Sequence, residues 1–180
     1  MFRTLILAVS LLVGAANAEQ EIYTGELVDR SSLGLAHKPG SEEPFSGIWR
    51  RWHKDTMNRY RTESTYKDGR LEGPSWRWYS NGQLELEINY KDGNREGVVR
   101  WWFENGQLRR QTTYNKDGRE EGFVQQWHAN GQLKAEGYLR HGYPEGLVRT
   151  WHENGQLNEE ECFSNYEIVY DMSNCETNAP

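Results

Sequence analysis

Long apolar runs are almost missing from this chain of 180 residues, whose mean hydropathy is −0.96. One such run, Leu5 to Val13, lies at the start. It is too short to span a bilayer comfortably, which takes about 20 residues, and no second run follows it. No transmembrane segment is expected in the mature chain. Positive charge is also in deficit, with 21 Lys and Arg against 27 Asp and Glu. Phosphate recognition draws on Lys and Arg, so this balance argues against a nucleic-acid partner and against anionic membrane surfaces. Cysteine is scarce, two residues in all, and neither stands in a motif with a histidine that would make it a nucleophile. No nucleophile elbow, phosphate-cradling glycine loop or zinc motif is present. The expectation is a protein that is not an enzyme and has no cofactor.

What is present is aromatic: eight Trp and ten Tyr. Disordered chains lack such residues, so the chain folds on few but large apolar side chains. Residues 1–18 stand apart. Arg3 gives a positive n-region, Leu5 to Val13 an apolar core, and Ala16-Asn17-Ala18 a small-x-small cleavage site, which together read as a cleaved signal peptide. Arg3 is the only charged side chain removed, so 21 basic residues become 20 against 27 acidic, a net charge of −7. Export from a bacterial cytoplasm, to the periplasm or the medium, is the expected localisation. In an oxidising compartment a disulfide between Cys162 and Cys175, closing a short C-terminal loop, is the default reading.

The rest of the chain is a repeat. Trp78, Trp102, Trp127 and Trp151 are spaced 24, 25 and 24 residues apart. Asn-Gly pairs at 81, 105, 130 and 154, and Glu-Gly pairs at 72, 96, 121 and 145, keep the same register. A fifth, degenerate copy precedes them, carrying Gly47, Trp52 and Tyr66, with a longer loop at 55–58 in place of Asn-Gly. Atypical terminal copies are common in repeat arrays, where they cap the ends. Residues 19–44 read as an N-terminal capping segment, 45–163 as the array and 164–180 as a tail holding the disulfide.

Each unit reads as a β-hairpin, because Asn-Gly between alternating strands tolerates the positive φ that tight turns need. A two-residue loop would set Trp78 opposite Glu85. A three-residue loop, Ser80-Asn81-Gly82 with Gly in the bulge position, sets Trp78 opposite Leu84 and gathers the apolar slots on one face. That face would hold Ile48, Pro74, Val98, Phe123 and Leu147, then Trp52, Trp78, Trp102, Trp127 and Trp151. Tyr60, Leu84, Leu108, Leu133 and Leu157 would follow, then Tyr66, Tyr90, Tyr114, Leu139 and Phe163. Gly93, Gly118 and Gly142 are expected in left-handed conformations in the second turn. The fold class is all-β: an antiparallel meander of about ten strands built from five hairpin repeats of 24–25 residues.

Trp102-Phe103-Glu104-Asn105-Gly106-Gln107-Leu108 and Tyr90-Lys91-Asp92-Gly93-Asn94-Arg95-Glu96-Gly97, with their counterparts, resemble the MORN family. The likeness is closer to a bacterial variant found in proteins labelled antitoxin components of toxin–antitoxin systems. Pro44-Phe45-Ser46-Gly47 resembles the opening of that variant's first unit, and the resemblance covers roughly 33–163. It implies a single-layer twisted meander that dimerises, scaffolds or binds protein. The label implies an antitoxin or immunity-like role.

Three rows are candidates for chemistry. Glu63, Glu87, Gln111, Glu136 and Glu160 share one slot, assigned by alternation to the face opposite the Trp slot. They read either as a negative binding strip for a basic partner or as a solvated face pairing with Arg and Lys. Successive members lie two strands apart, about 9.5 Å, too far for routine paired acid–base work. His53, Tyr79, Phe103, His128 and His152 flank the Trp row, and the same spacing defeats a shared metal ion. Asp-Gly at 68–69, 92–93 and 117–118 is explained by turn chemistry without calcium. The Trp row reads as the core of a thin sheet or as a binding surface, which includes a glycan groove. A single layer cannot cover both its faces, so a protein partner or a homodimer is expected.

Overall fold

The computed structural model describes residues 21–29, 34–54, 59–165, 167–169 and 175. The signal-peptide reading of 1–18, the loop at 55–58 and most of the tail after 169 lie outside the described residues, as do the side chains of His53 and Tyr60. Among the described residues there are strands and turns but no helix. Three short strands come first: β1 (Ile22–Tyr23), β2 (Val28–Asp29) and β3 (Ala36–His37). The array follows as β4 (Gly47–Lys54), β5 (Arg59–Lys67), β6 (Arg70–Trp78), β7 (Leu84–Lys91), the two-residue β8 (Asn94–Arg95), β9 (Gly97–Trp102) and β10 (Leu108–Tyr114). It ends with β11 (Gly122–Trp127), β12 (Leu133–Arg140), β13 (Tyr143–Trp151), β14 (Leu157–Ser164) and β15 (Glu167–Val169). From β4 to β14, leaving out β8, ten strands form one antiparallel meander in chain order. β1 pairs parallel with β4 at one edge, and β15, which the sequence pattern does not announce, pairs with β14 at the other.

Two turn types alternate. Asp68-Gly69, Asp92-Gly93 and His141-Gly142 place both residues at positive φ, between 48° and 88°. They close two-residue loops between the pairs Lys67–Arg70, Lys91–Asn94 and Arg140–Tyr143. This is the turn whose twist matches that of the flanking strands. The fourth such turn, Asn115 to Arg119, is longer, with Gly118 at φ 71°. In the Asn-Gly turns, Gly82 N donates to Tyr79 O (3.0 Å) and Tyr79 N to Gln83 O (2.8 Å), with Gly82 at φ 88°. The loop is therefore Ser80-Asn81-Gly82, and Trp78 pairs with Leu84 as the three-residue reading requires.

One consequence of these turns overturns part of the expected face. Arg77 pairs with Leu86 and Trp78 with Leu84, so Glu85 has no opposite number. Arg109, Lys134 and Asn158 are the equivalent extra residues. One inserted residue reverses the alternation of everything beyond it. Tyr90, Tyr114, Leu139 and Phe163 therefore lie on the face opposite the Trp row, not with it. Glu87, Gln111, Glu136 and Glu160 lie on the Trp face, not opposite it. The first hairpin reaches the same outcome without a bulge: Trp52 pairs with Arg61, which leaves Glu63 on the Trp face and Tyr66 on the other.

The buried core sits on this Tyr face and is made of small side chains. Ser64, Ser75, Ile88, Val99 and Thr112 form one cross-strand row, and Val99 and Thr112 are fully covered. Ser64 and Ser75 share a hydrogen bond of 2.6 Å within it. Short side chains let the longer ones in the flanking rows, such as Tyr66, Tyr90, Trp101 and Arg110, close over them. At the N-terminal end Phe45, 3 % exposed, packs against Tyr23 and Tyr66 with ring centroids 5.7 and 5.8 Å away. Residues 21–29 and 34–45 lie along that end through Ile48 N to Glu21 O, Ala36 N to Gly69 O and Trp49 Nε1 to Gly25 O. At the other end Cys162 and Cys175 are joined, with Cα atoms 5.7 Å apart.

Neighbouring units are stapled by the turn asparagine. Asn81 Oδ1 accepts from Gln83 N in its own turn, while its Nδ2 donates to Glu104 O of the next unit (2.8 Å). Asn105 and Asn130 repeat this onto Ala129 O and Glu153 O. Asn154, in the last unit, reaches its own Gln156 instead.

This packing sets the cost of two substitutions. Val99→Ala should lower stability by about 1–3 kcal/mol, clearly more than Val98→Ala on the half-exposed opposite face. Equal losses in chemical denaturation would contradict the face assignment. Asn105→Asp keeps the turn acceptor but loses the donor to Ala129 O, so it should cost roughly 1–2 kcal/mol. Asn154→Asp should cost much less, and thermal melts of the two variants compare them directly.

Candidate protein-binding face

The Trp face carries three parallel rows. Trp52, Trp78, Trp102, Trp127 and Trp151 stand at the Asn-Gly end of their strands. Pro74, Val98, Phe123 and Leu147 stand nearer the other end. Between them runs a cross-strand row: Arg50, Glu63, Trp76, Glu87, Arg100, Gln111, Gln125, Glu136, Arg149 and Glu160. Large apolar side chains remain open here, with Trp52 64 %, Phe123 44 % and Leu157 54 % exposed, and the other Trp of the row are half-buried. The Trp row is thus neither a hidden core nor a free platform.

The middle row is a ladder of alternating partners. Arg50 Nε donates to Glu63 Oε2 at 2.7 Å. Arg100 reaches back to Glu87 (2.9 Å) and forward to Gln111 (2.8 Å). Gln125 Nε2 donates to Glu136 Oε2 (3.3 Å), and Arg149 lies 3.8 Å from Glu136 while donating to Glu160 at 2.7 Å. The five positions read as an acidic strip are brought into one line, but each faces a guanidinium or amide from an adjacent strand. The row acts between strands more than toward an approaching cation. At its N-terminal end Arg61 stacks 3.9 Å from the Trp78 ring and 5.8 Å from Trp52. Trp76 and Trp78 lie 6.3 Å apart by centroid.

The row beside the Trp positions has a structural job that the sequence did not reveal. Tyr79 OH donates to Trp102 O (2.7 Å), and His128 Nε2 lies 2.9 Å from Trp151 O. These side chains reach the next unit's backbone, which is why ring size and a polar tip recur there. Phe103 keeps the size without the polar tip. Among the described residues no three His, Cys, Asp or Glu side chains converge as metal ligands.

A second polar cluster lies on the Tyr face, built on the position before the Glu-Gly pair, which holds Arg95 in one unit and Glu120 in the next. Arg110 forks onto both Glu120 oxygens (2.8 and 2.7 Å), Tyr114 OH donates to Glu120 Oε1 (2.9 Å), and Arg95 donates to Tyr114 OH (3.2 Å). Burial pushes the Glu120 carboxyl up, but the Arg110 hydrogen bonds and charge with the Tyr114 hydrogen bond outweigh it and hold it below its usual range. The Tyr114 phenol is raised, first by burial and then by Glu120. Nearby, Val124, Tyr138, Leu139, Pro144 and Val148 line an apolar hollow of about 170 Å³, and Gly137 lets Val148 come within 2.9 Å of where a Cβ would stand.

Because the folded Glu120 titrates below its unfolded value, its contribution is complete above the unfolded pKa. It is lost as pH falls through the folded one. Glu120→Gln should therefore lower stability at neutral pH by about 1–3 kcal/mol and flatten its decline in acid below about pH 4.5. Denaturation curves at pH 7 and pH 3 test this, and an unchanged acid slope would contradict it.

No curated protein matches the chain. No helix of the described residues is long and apolar enough to cross a membrane. Residues 71–92, 95–116, 120–141 and 144–165 match the family described as the MORN repeat variant. The β4–β5 hairpin precedes the matched region, sharing its strand pairing but lacking the Asn-Gly turn and the bulge. The hairpins β6–β7, β9–β10, β11–β12 and β13–β14 are thus four MORN-variant repeats, a repeat class that points to binding.

Proposed function

We propose that this protein is an exported, non-catalytic scaffold of the bacterial cell envelope that binds a protein partner through its Trp face. The observation that supports this is the composition of that face. Open Trp52 and Phe123 and half-buried Trp102, Trp127 and Trp151 flank a line of Arg, Glu and Gln. Trp, Tyr and Arg are the residues that dominate binding energy at protein interfaces. A single-layer sheet whose core lies on its other face has no internal use for so much aromatic surface. The four repeats support the same reading, and the signal-like 1–18 supports export.

The test is affinity capture from an envelope extract, with the wild-type chain beside a Trp52→Glu/Phe123→Glu variant. Both positions are exposed, so the fold should survive, which circular dichroism checks. The expected result is one stoichiometric envelope protein, held by the wild type and weakened at least tenfold in the variant. Capture of a toxin would move the reading to an immunity role, and retention by peptidoglycan alone would move it to glycan binding. A partner held equally by both baits would rule out the Trp face.

A further inference from the structure

The four Asn-Gly turns are chemically identical but not held alike. All read Asn-Gly-Gln-Leu, at 81–84, 105–108, 130–133 and 154–157. Their glycines take one conformation, with φ 88°, 83°, 86° and 81° in turn. Each glycine N donates to the carbonyl three residues back at 2.9–3.0 Å, and each asparagine Oδ1 accepts from the following Gln N at 2.9–3.0 Å. What differs is the asparagine amide nitrogen. Nδ2 of Asn81, Asn105 and Asn130 donates to a backbone carbonyl of the next unit at 2.7–2.8 Å. Asn154 Nδ2 donates at 3.1 Å to Gln156 Oε1, an exposed side chain of its own turn. The strand that follows, β15, pairs with Cys162, Phe163 and Ser164, at the far end of β14 from this turn.

An asparagine followed by glycine is open to attack by its own backbone, because glycine has no Cβ to hinder approach to its nitrogen. The glycine amide nitrogen, on losing its proton, attacks Asn Cγ. The Cγ–Nδ2 bond breaks, ammonia leaves carrying that proton, and a five-membered succinimide closes. Water then opens the ring at either carbonyl, leaving aspartate or isoaspartate. The net change consumes a water and releases an ammonia, and it needs no oxidant, metal or enzyme. For the attack Cγ must swing toward the glycine nitrogen, so a contact that fixes the asparagine side chain opposes it. In the first three turns the leaving nitrogen is itself clamped to a neighbouring unit's backbone, which cannot follow the swing. In the last turn its partner is a side chain on a rotatable stem, which can.

We infer that Asn154 is the site at which this protein deamidates, and that Asn81, Asn105 and Asn130 are protected by their joins to the next unit. Contacts on the glycine side do not separate Asn154 from the others. A Cβ on Gly131 would stand 2.9 Å from Gln107 Oε1, and one on Gly155 would stand 2.8 Å from Gln132 Oε1. Gly82 has no neighbour within 4 Å of that position, so glycine contacts alone would make Asn81 the fastest site. The staple reverses that order. Deamidation at Asn154 is also the change the fold tolerates, since no following unit is held by its amide. The modified chain gains a negative charge in its last turn, at the end of the Trp row, while the internal joins keep their amides.

Peptide mapping of the full chain by mass spectrometry, after ageing in warm, mildly alkaline buffer, tests the proposal. The amide-to-acid mass change should build up at Asn154 roughly tenfold faster than at Asn81, Asn105 or Asn130, the order of protection that one retained hydrogen bond confers. In concentrated urea the joins are gone, and the four identical segments should react within about twofold of one another. Hydrogen exchange tells a missing staple from a frayed turn: the Gly155 amide should exchange at close to the Gly131 rate. Asn154→Gln should leave the aged protein without its early acidic form on ion exchange. Equal rates at the four sites in the folded chain, a fastest site other than Asn154, or the same preference for Asn154 in urea would each overturn the proposal. So would a Gly155 amide that exchanges in the folded chain as fast as in urea, or an acidic form that persists in Asn154→Gln.

Discussion

One extra residue in each of the four Asn-Gly units decides what each face of this sheet contains. The residue is Glu85, Arg109, Lys134 or Asn158, and it exists because the Asn-Gly turn closes with a glycine at positive φ that forces a bulge in the returning strand. Without it, Trp78 and Tyr90 would share a face and Glu87 would lie behind them. With it, the whole Trp row shares a face with the Arg–Glu ladder, and Tyr90 and Tyr114 turn to the side where the small residues are buried. The division of the molecule into a packed side and a presenting side follows from that insertion.

The repeat, the hairpins, the loop length and the number of meander strands were legible because each rests on local chemistry. Asn-Gly and Asp-Gly state their backbone conformation outright, and the 24–25-residue spacing of Trp repeats the statement. Face assignment was not legible by simple alternation, since a bulge leaves no mark of its own in a sequence. Its trace was nevertheless present. Ser64, Ser75, Ile88, Val99 and Thr112 are small or β-branched in the slot that the structure buries, whereas the expected apolar face held the larger residues. The Trp row attracted the core assignment, but it stands on the other face of the sheet from these small residues. The Arg110–Glu120–Tyr114–Arg95 cluster was hidden for another reason: Arg95 and Glu120 hold the same place before the Glu-Gly pairs of successive units, but that place changes residue type from unit to unit, being Leu71 and Pro144 in the other two.

Charge in this protein acts mostly between strands. Arg50–Glu63, Arg77–Glu85, Arg100–Glu87 and Arg149–Glu160 are all cross-strand contacts of 2.7–2.9 Å on half-buried or rim positions. Single exposed pairs contribute little, but a line of them favours one register, because a one-residue slip would carry the partners to opposite faces of the sheet. Together with the turn asparagines, this makes each unit's specificity for its neighbour a property of the join. A repeat array is then stable roughly as the sum of its units and joins.

The Trp face is broad, apolar at its margins and internally neutralised in its middle row, so affinity there must come from aromatic burial rather than from net charge. Because its aromatic positions recur once per unit, a partner with repeated features would meet several of them at once, and modest affinity at each would become strong attachment overall.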